Sequence, residues 1–453
     1  MHTCTQMQIG ESYVLWSSTA NLCGLSWVCL RLLSVRLWGK PRPSGLLEYT
    51  RRRQQEYSVQ HLPFLPRLTF CFRPLPNSTI KMIARTIDIP LTQKAIIAGP
   101  DRNFTVVHDA PVIDLASNAI LVKVHAVALN PVDTKLTGDF VTPGAIFGFD
   151  CAGTVVAVGS AVRKRWVIGE RVCGSACGMD PERPSGGAFA EYTALPGELA
   201  LRIPDYMSFE DAATLPTALN TTVLAVFWSM NIPMSLIDKP AEKSFPILVY
   251  GGSTSVGTMV IQMLKRPDEA DFLRRAGLRP ITTCSPKNFD FVKSFGAEAV
   301  FDYRSPSCGA DIKKYTKNGL GYAIDCITEE SSMKICYAAI GRAGGRYIGM
   351  DPFPAHVAAT RKIVKSDWVV AFRITGMPCN WPAPFTSDAD PELSESAIPF
   401  FDSVEKLLAD GQIKTHPAKV SGGGLEAVIG GVDLLRRKEI SAEKLVYTTI
   451  SEN

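Results

Sequence analysis

Apolar and polar positions divide the chain into stretches of different period. Between residues 95 and 195 the apolar residues fall in short runs, 120–128, 153–158 and 188–193, separated by glycine-bearing turns. Short apolar runs between such turns predict strands, here of a small β-barrel-like domain. The period changes at Ser208, which with Asp211 makes a capping-box start. A helical run is predicted from residue 209 toward 230, passing Pro216. After a Pro- and Lys-bearing loop over 231–246, the runs 246–250, 280–284, 299–303, 322–327 and 346–350 predict strands with helices between them, one closing at Gly296. This βαβαβ rhythm predicts a doubly wound parallel sheet, whose ligands lie beyond the strand C-termini.

The first of those strands runs into Val249-Tyr250-Gly251-Gly252-Ser253-Thr254-Ser255-Val256-Gly257 and then into a helix over 258–265. A strand, a glycine-rich turn and a helix together offer backbone N–H groups and a helix N-terminus to a pyrophosphate. Thr254 and Ser255 stand where glycines are common, so the surrounding strands carry the assignment more than the turn does. The second strand ends in Thr282-Thr283-Cys284-Ser285-Pro286-Lys287-Asn288, without the acid that binds the ribose 2′-hydroxyl of NAD. A lysine and a hydroxyl suit a 2′-phosphate instead, which favours NADPH.

Composition adds limits rather than a function. The 453 residues are 46% hydrophobic, enough for two or three cores, and the net charge of +4 provides no concentrated basic face for nucleic acid. The basic excess is local: residues 1–81 hold ten Lys or Arg against three acids. That segment reads as a disordered or gene-model extension with Met82 as a start, or alternatively as a mitochondrial presequence. The longest apolar stretch, 22–33, is cut by Ser26 and Arg31 and is too short for a membrane span. The twelve cysteines lack framework spacing and read as reduced thiols of a cytoplasmic protein. Cys173 and Cys177 lack the further ligands that zinc requires.

The segments Asn130-Pro131-Val132-Asp133-Thr134-Lys135, Gly148-Phe149-Asp150-Cys151-Ala152-Gly153, Gly169-Glu170-Arg171-Val172 and Leu215-Pro216-Thr217 resemble, in order, the signatures of the medium-chain dehydrogenase/reductase superfamily. Within it, Tyr250 to Val256, Val300-Phe301-Asp302-Tyr303-Arg304 and Ala339-Ile340-Gly341-Arg342-Ala343-Gly344-Gly345 resemble the trans-acting enoyl reductases of fungal highly reducing polyketide synthases. The resemblance spans about residues 82–450. It implies an α/β fold, a GroES-like β-barrel catalytic domain (82–213, resumed over 385–453) around a Rossmann NADPH-binding domain (214–384). Where zinc-containing members carry Gly-His-Glu, this chain has Gly148-Phe149-Asp150, so the resemblance is to the zinc-free branch.

The same resemblance implies hydride transfer from NADPH to the β-carbon of an α,β-unsaturated thioester on an acyl carrier domain of a polyketide synthase or synthase–peptide synthetase hybrid, by a monomer. Lys135 and Thr221 fall at the polar positions around the nicotinamide and thioester. Val132, Asp133, Thr134, Lys135, Thr254, Ser255, Val256 and Gly257 would bind cofactor, with Ser285, Lys287, Asn288 and Tyr303 at the adenosine end and Met350 and Asp351 beside the nicotinamide. Thr222, Val223, Leu224, Ala225, Val226, Phe227, Trp228 and Ser229, with Ala371, Phe372, Arg373, Ile374 and Thr375, would wall the acyl tunnel. Two departures stand out: the amino-terminal 81 residues, and about nine additional residues near 266–274, a surface loop or a retained intron. Alternative functions are a zinc-free quinone or enone reductase acting on free small molecules, and a non-catalytic NADPH-binding partner of a synthase.

Overall fold

The computed structural model describes residues 89–237, 241–265 and 278–449. The extension through residue 81 and the insertion near 266–274 lie outside the described residues. Seven strands come first: β1 (Thr92–Ala98), β2 (Phe104–Pro111), β3 (Ala119–Ala128), β4 (Asp150–Val158), β5 (Arg171–Ser175), β6 (Tyr192–Pro196) and β7 (Leu201–Arg202). β3 is almost continuously apolar because it is buried on both faces, and it serves as the spine. It pairs antiparallel with β4 along one edge. Its other edge pairs with β6 at the start and, over its last three residues, with a strand from the far end of the chain.

The strand expected at 188–193 instead starts at Tyr192. Residues 188–190 cross the barrel rather than joining a ladder, with Phe189 hydrogen-bonded to both Ile96 and Phe147. Phe189 is fully buried, its ring seated over the Cα of Gly148, where a Cβ would lie 2.2 Å away.

The helix expected from 209 toward 230 is broken in two. Ser208 caps α1 (Phe209–Ala213), its hydroxyl accepting the Asp211 N–H at 3.0 Å. Pro216 has no N–H to continue the ladder, so it begins a new helix, α2 (Pro216–Thr222), at the position proline tolerates. A π-helical turn, Val223–Ser229, follows.

The second half is an all-parallel sheet: β8 (Pro246–Tyr250), β9 (Arg279–Cys284), β10 (Ala299–Asp302), β11 (Tyr322–Asp325), β12 (Gly345–Gly349) and β13 (Val364–Trp368), in the order β10-β9-β8-β11-β12-β13. β13 was not anticipated, since Val-Lys-Ser-Asp-Trp is polar at alternate positions, as an edge strand can be. The order reverses at β8, so the crevice opens at the end of β8, where α3 (Ser255–Leu264) begins. β14 (Ala418–Ser421) and β15 (Lys444–Thr448) then rejoin the first sheet, in the order β14-β15-β3-β4-β5-β7. No helix of the described residues is long and apolar enough to cross a membrane.

Candidate active site

At the end of β8 the chain makes a turn that only glycines permit at two points. Gly251 has φ of +82°, a region other residues rarely adopt. At Gly257 a Cβ would lie 2.4 Å from the Gly251 carbonyl oxygen, so α3 could not come so close to the strand end. The Thr254 hydroxyl accepts the Gly257 N–H at 3.0 Å and donates to the Gly251 carbonyl at 2.8 Å. Thr254 and Gly257 therefore shape the turn and cap α3, and their polar groups are taken up by each other. The open donors are different ones. Among the described residues, the amides of Ser253, Ser255 and Val256 have no acceptor. The Ser255 hydroxyl is buried without a partner. Three free N–H groups and an orphan hydroxyl at a helix N-terminus fit a pyrophosphate, and with it a nicotinamide dinucleotide.

The adenosine end is set by strand register. Asp302 of β10 pairs with Cys284 of β9, so Tyr303 and Ser285 leave adjacent strand ends together. Tyr303 is partly exposed, its ring 6.2 Å from that of Tyr250. Lys287 is exposed and has no ion pair or hydrogen bond among the described residues, whereas Asn288 is buried. Arg304, not singled out from the sequence, stands next to Tyr303 with its guanidinium 5.9 Å from that ring and held by Asp302 at 3.1 Å.

On the opposite side, residues Pro131–Thr134 form a single 3-10 turn ending in Lys135. The Lys135 ammonium makes an ion pair with Asp351, just after β12. The structure thus joins one residue expected in catalysis with one expected beside the nicotinamide, across the two halves of the chain. Met350 is fixed there by its N–H, which donates to the Thr328 hydroxyl at 2.7 Å.

Asp133 is turned into its own loop. It is fully buried, and one carboxylate oxygen accepts the Asn130 N–H at 2.6 Å. Burial pushes its carboxyl well above the usual range, against the pull of that N–H, and the nearby Asp150 charge adds to the rise. Thr134 closes the same turn by donating to the Pro131 carbonyl at 2.7 Å, and Val132 packs half-buried against the barrel core.

Thr221 is nearly buried, and its hydroxyl donates one helical turn back, to the Thr217 carbonyl at 2.7 Å. Thr222 does the same to Ala218. Val223, Leu224, Ala225, Val226 and Phe227 pack into the main core, where Phe227 meets Phe400 at 5.7 Å between ring centroids. Only Trp228 of that stretch is exposed, and Ser229 hydrogen-bonds Asp367.

Residues Ala371–Thr375 form another 3-10 turn, with Phe372 and Ile374 buried in opposite cores, Arg373 facing Asp390 and Ala371 half-buried. A cavity of about 10 Å³, with room for about one water, touches Thr375 together with Asn220, Leu195 and Phe401. Of the expected tunnel walls, residues 222–227, Ser229, Phe372 and Ile374 are buried, whereas Trp228 is exposed and Ala371, Arg373 and Thr375 are half-buried.

The feature least visible beforehand is the carboxylate of Asp150. It is fully buried and bonded by Lys444 at 2.6 Å, Asn130 at 2.9 Å and Thr217 at 2.6 Å. In the sequence its run stands out as a superfamily signature and as the place where zinc ligands are replaced, neither of which points to a buried ion pair. Among the described residues no three His, Cys, Asp or Glu side chains gather as a metal set. Cys173 and Cys177 are separate buried thiols.

Residues 116–205 match the family model of the alcohol dehydrogenase GroES-like domain. Trans-enoyl reductase buaC of Petromyces alliaceus is 56% identical over 359 residues, covering 79% of this chain and 98% of that protein. Trans-enoyl reductase phm4 of Pyrenochaetopsis sp is 45% identical over 363 residues, 80% of this chain and 98% of that one. Among solved structures, CurK enoyl reductase covers 79% of this chain and 99% of its own at a TM-score of 0.59 and 20% identity, a likeness of fold.

Proposed function

This chain belongs to the trans-enoyl reductases, and we propose that it acts on an α,β-unsaturated acyl thioester carried by the acyl carrier domain of a polyketide synthase, with NADPH as its nicotinamide cofactor. When bound, NADPH supplies the hydride that saturates the β-carbon. The observation that carries this reading is the 56% identity across 98% of a protein bearing that name.

The residues of the chain have distinct tasks. The amides of Ser253, Ser255 and Val256 and the Ser255 hydroxyl hold the pyrophosphate. Lys287, unpaired beside Ser285, faces the 2′-phosphate, with Arg304 available from the neighbouring strand end. Reduction of the double bond builds negative charge on the thioester oxygen, which pre-placed donors stabilise. The Thr221 hydroxyl meets that charge by exchanging the Thr217 carbonyl for the thioester oxygen. The Lys135 ammonium, half of it exposed and held by Asp351, gives its proton to the α-carbon and regains one from solvent. All eight cysteines among the described residues are free thiols, which fits action in the cytoplasm.

Purified protein mixed with crotonyl-pantetheine and NADPH tests this by the loss of nicotinamide absorbance. Turnover of the thioester, faster with NADPH than with NADH, is expected. Reduction of a free quinone without thioester turnover would assign the chain to the quinone and enone reductases. Tight NADPH binding with neither activity would make it a non-catalytic partner.

A further inference from the structure

Asp150 opens β4 and is fully buried. Its carboxylate nevertheless gathers four donors from three distant parts of the chain. Lys444 of β15 donates from Nζ at 2.6 Å. Asn130, at the head of the turn that ends in Lys135, donates from Nδ2 at 2.9 Å. Thr217, in the first turn of α2, donates through both its N–H and its hydroxyl, at 2.9 and 2.6 Å. Lys444 is itself buried, and it also reaches the Thr214 carbonyl at 3.3 Å, in the link between α1 and α2.

Two of the arms, Thr217 and Asn130, lie on the elements that carry the two reacting side chains, α2 and the turn that ends in Lys135. Thr217 stands one turn before Thr221 on the same helix, and in the resting site its carbonyl accepts the Thr221 hydroxyl at 2.7 Å. Asn130 caps the Pro131–Thr134 turn, and its own N–H is held by Asp133. The other Asp133 oxygen is buried without a partner, so Asp133 ties the turn only to itself. The side-chain bond from Asn130 to Asp150 ties the turn to the start of β4. A buried carboxylate bearing four donors cannot turn away without leaving charge unpaired, which makes it a stiff node. Stability alone does not call for such a node, because apolar residues of similar volume commonly replace a buried ion pair without loss.

We propose that Asp150, with Lys444 as its counter-charge, is a positioning residue that sets the spacing between Lys135 and Thr221. This inference rests on the reading above, in which those two side chains act at the thioester.

Two variants act on one arm each and leave the buried ion pair in place: Asn130→Ala removes the bond to the turn, and Thr217→Val weakens the bond to α2 by removing the hydroxyl at nearly constant volume while keeping the N–H. Melting temperature, NADPH affinity by fluorescence, and kcat and KM for crotonyl-pantetheine would be measured on each, with Lys135→Ala as the control. Both variants should bind NADPH within about two-fold of wild type, while kcat falls about 10-fold in Asn130→Ala and about 3-fold in Thr217→Val, with KM little changed. A purely structural role lowers the melting temperature and leaves kcat per folded molecule at the wild-type value, and that result overturns the proposal. Should Asn130→Ala not fold, Thr217→Val decides alone. If wild type turns over no thioester, or Lys135→Ala keeps full kcat, the reading of the active site fails. If wild type is active, Lys135→Ala impaired and both arm variants unimpaired, only the positioning role of Asp150 fails.

Discussion

The two halves of the molecule use polar groups in opposite ways. In the parallel-sheet half, donors are left open: three amides, one buried hydroxyl and an exposed lysine await a ligand. In the barrel half, polar groups close on one another, through Asp150 with Lys444, Asn130 and Thr217, Asp133 with Asn130, and Thr221 with Thr217. The difference teaches that a nucleotide site can be built from the backbone of one turn, whereas a reaction site needs side chains held at a set spacing. That spacing is enforced from residues as far apart as 130 and 444.

The contrast is sharpest where a change in one half should cost stability and in the other only affinity. Lys444→Met leaves the Asp150 carboxylate unpaired in the interior and should destabilise the fold by about 3–5 kcal/mol, read by urea unfolding. A loss under about 1 kcal/mol would mean that the node is not stiff.

His416 packs between the halves, with its Nδ1 3.1 Å from the Thr258 hydroxyl of α3. Burial, reinforced by the Lys444 charge, pushes its imidazole down to about 4. The unfolded chain, titrating near 6.5, takes the proton first. Stability is then complete above about pH 6.5 and declines as pH falls toward about 4, by up to about 3 kcal/mol. Subtracting the pH–stability curve of His416→Gln from that of wild type should show this step, and parallel curves would refute a neutral buried imidazole.

Lys135→Ala should lower kcat about 100-fold, yet leave the melting temperature nearly unchanged. Its ion pair with Asp351 is half-exposed, and such pairs contribute about 0–1 kcal/mol. Lys287→Ala should have the smallest effect, an approximately 10-fold loss of NADPH affinity with NADH binding and stability unchanged, measured by fluorescence titration. Equal losses for both cofactors would remove the lysine from 2′-phosphate recognition.

Much of the parallel-sheet half was legible because its signals are local. The strand 246–250 stands where its apolar run put it, the glycine turn leads into a helix, and Ser285 and Tyr303 emerge side by side. Its edge strand β13 was missed, since one polar-alternating stretch among loops carries too little pattern. Three positions, in both halves, have surroundings that no local pattern conveyed. Asp133 lies in a motif that pointed to the cofactor, yet it folds back on its own turn. Residues 223–227 are apolar enough to wall a tunnel, but apolarity serves a packed core equally well, and here they pack. Thr254 looked like a phosphate ligand, while its hydroxyl is spent on the cap of α3.

The sequence by itself determined the alternation of strand and helix, the turn that offers its amides at the end of β8, and the absence of an acid after β9. Each is fixed by neighbours within a few residues, where φ/ψ limits and apolar period act directly. Only the tertiary structure decided which amides stay free, that Lys135 meets Asp351, and that one buried carboxylate ties Lys444, Asn130 and Thr217 together. Those outcomes depend on which polar groups find partners once water is excluded, a competition among residues up to 300 positions apart that no local pattern encodes.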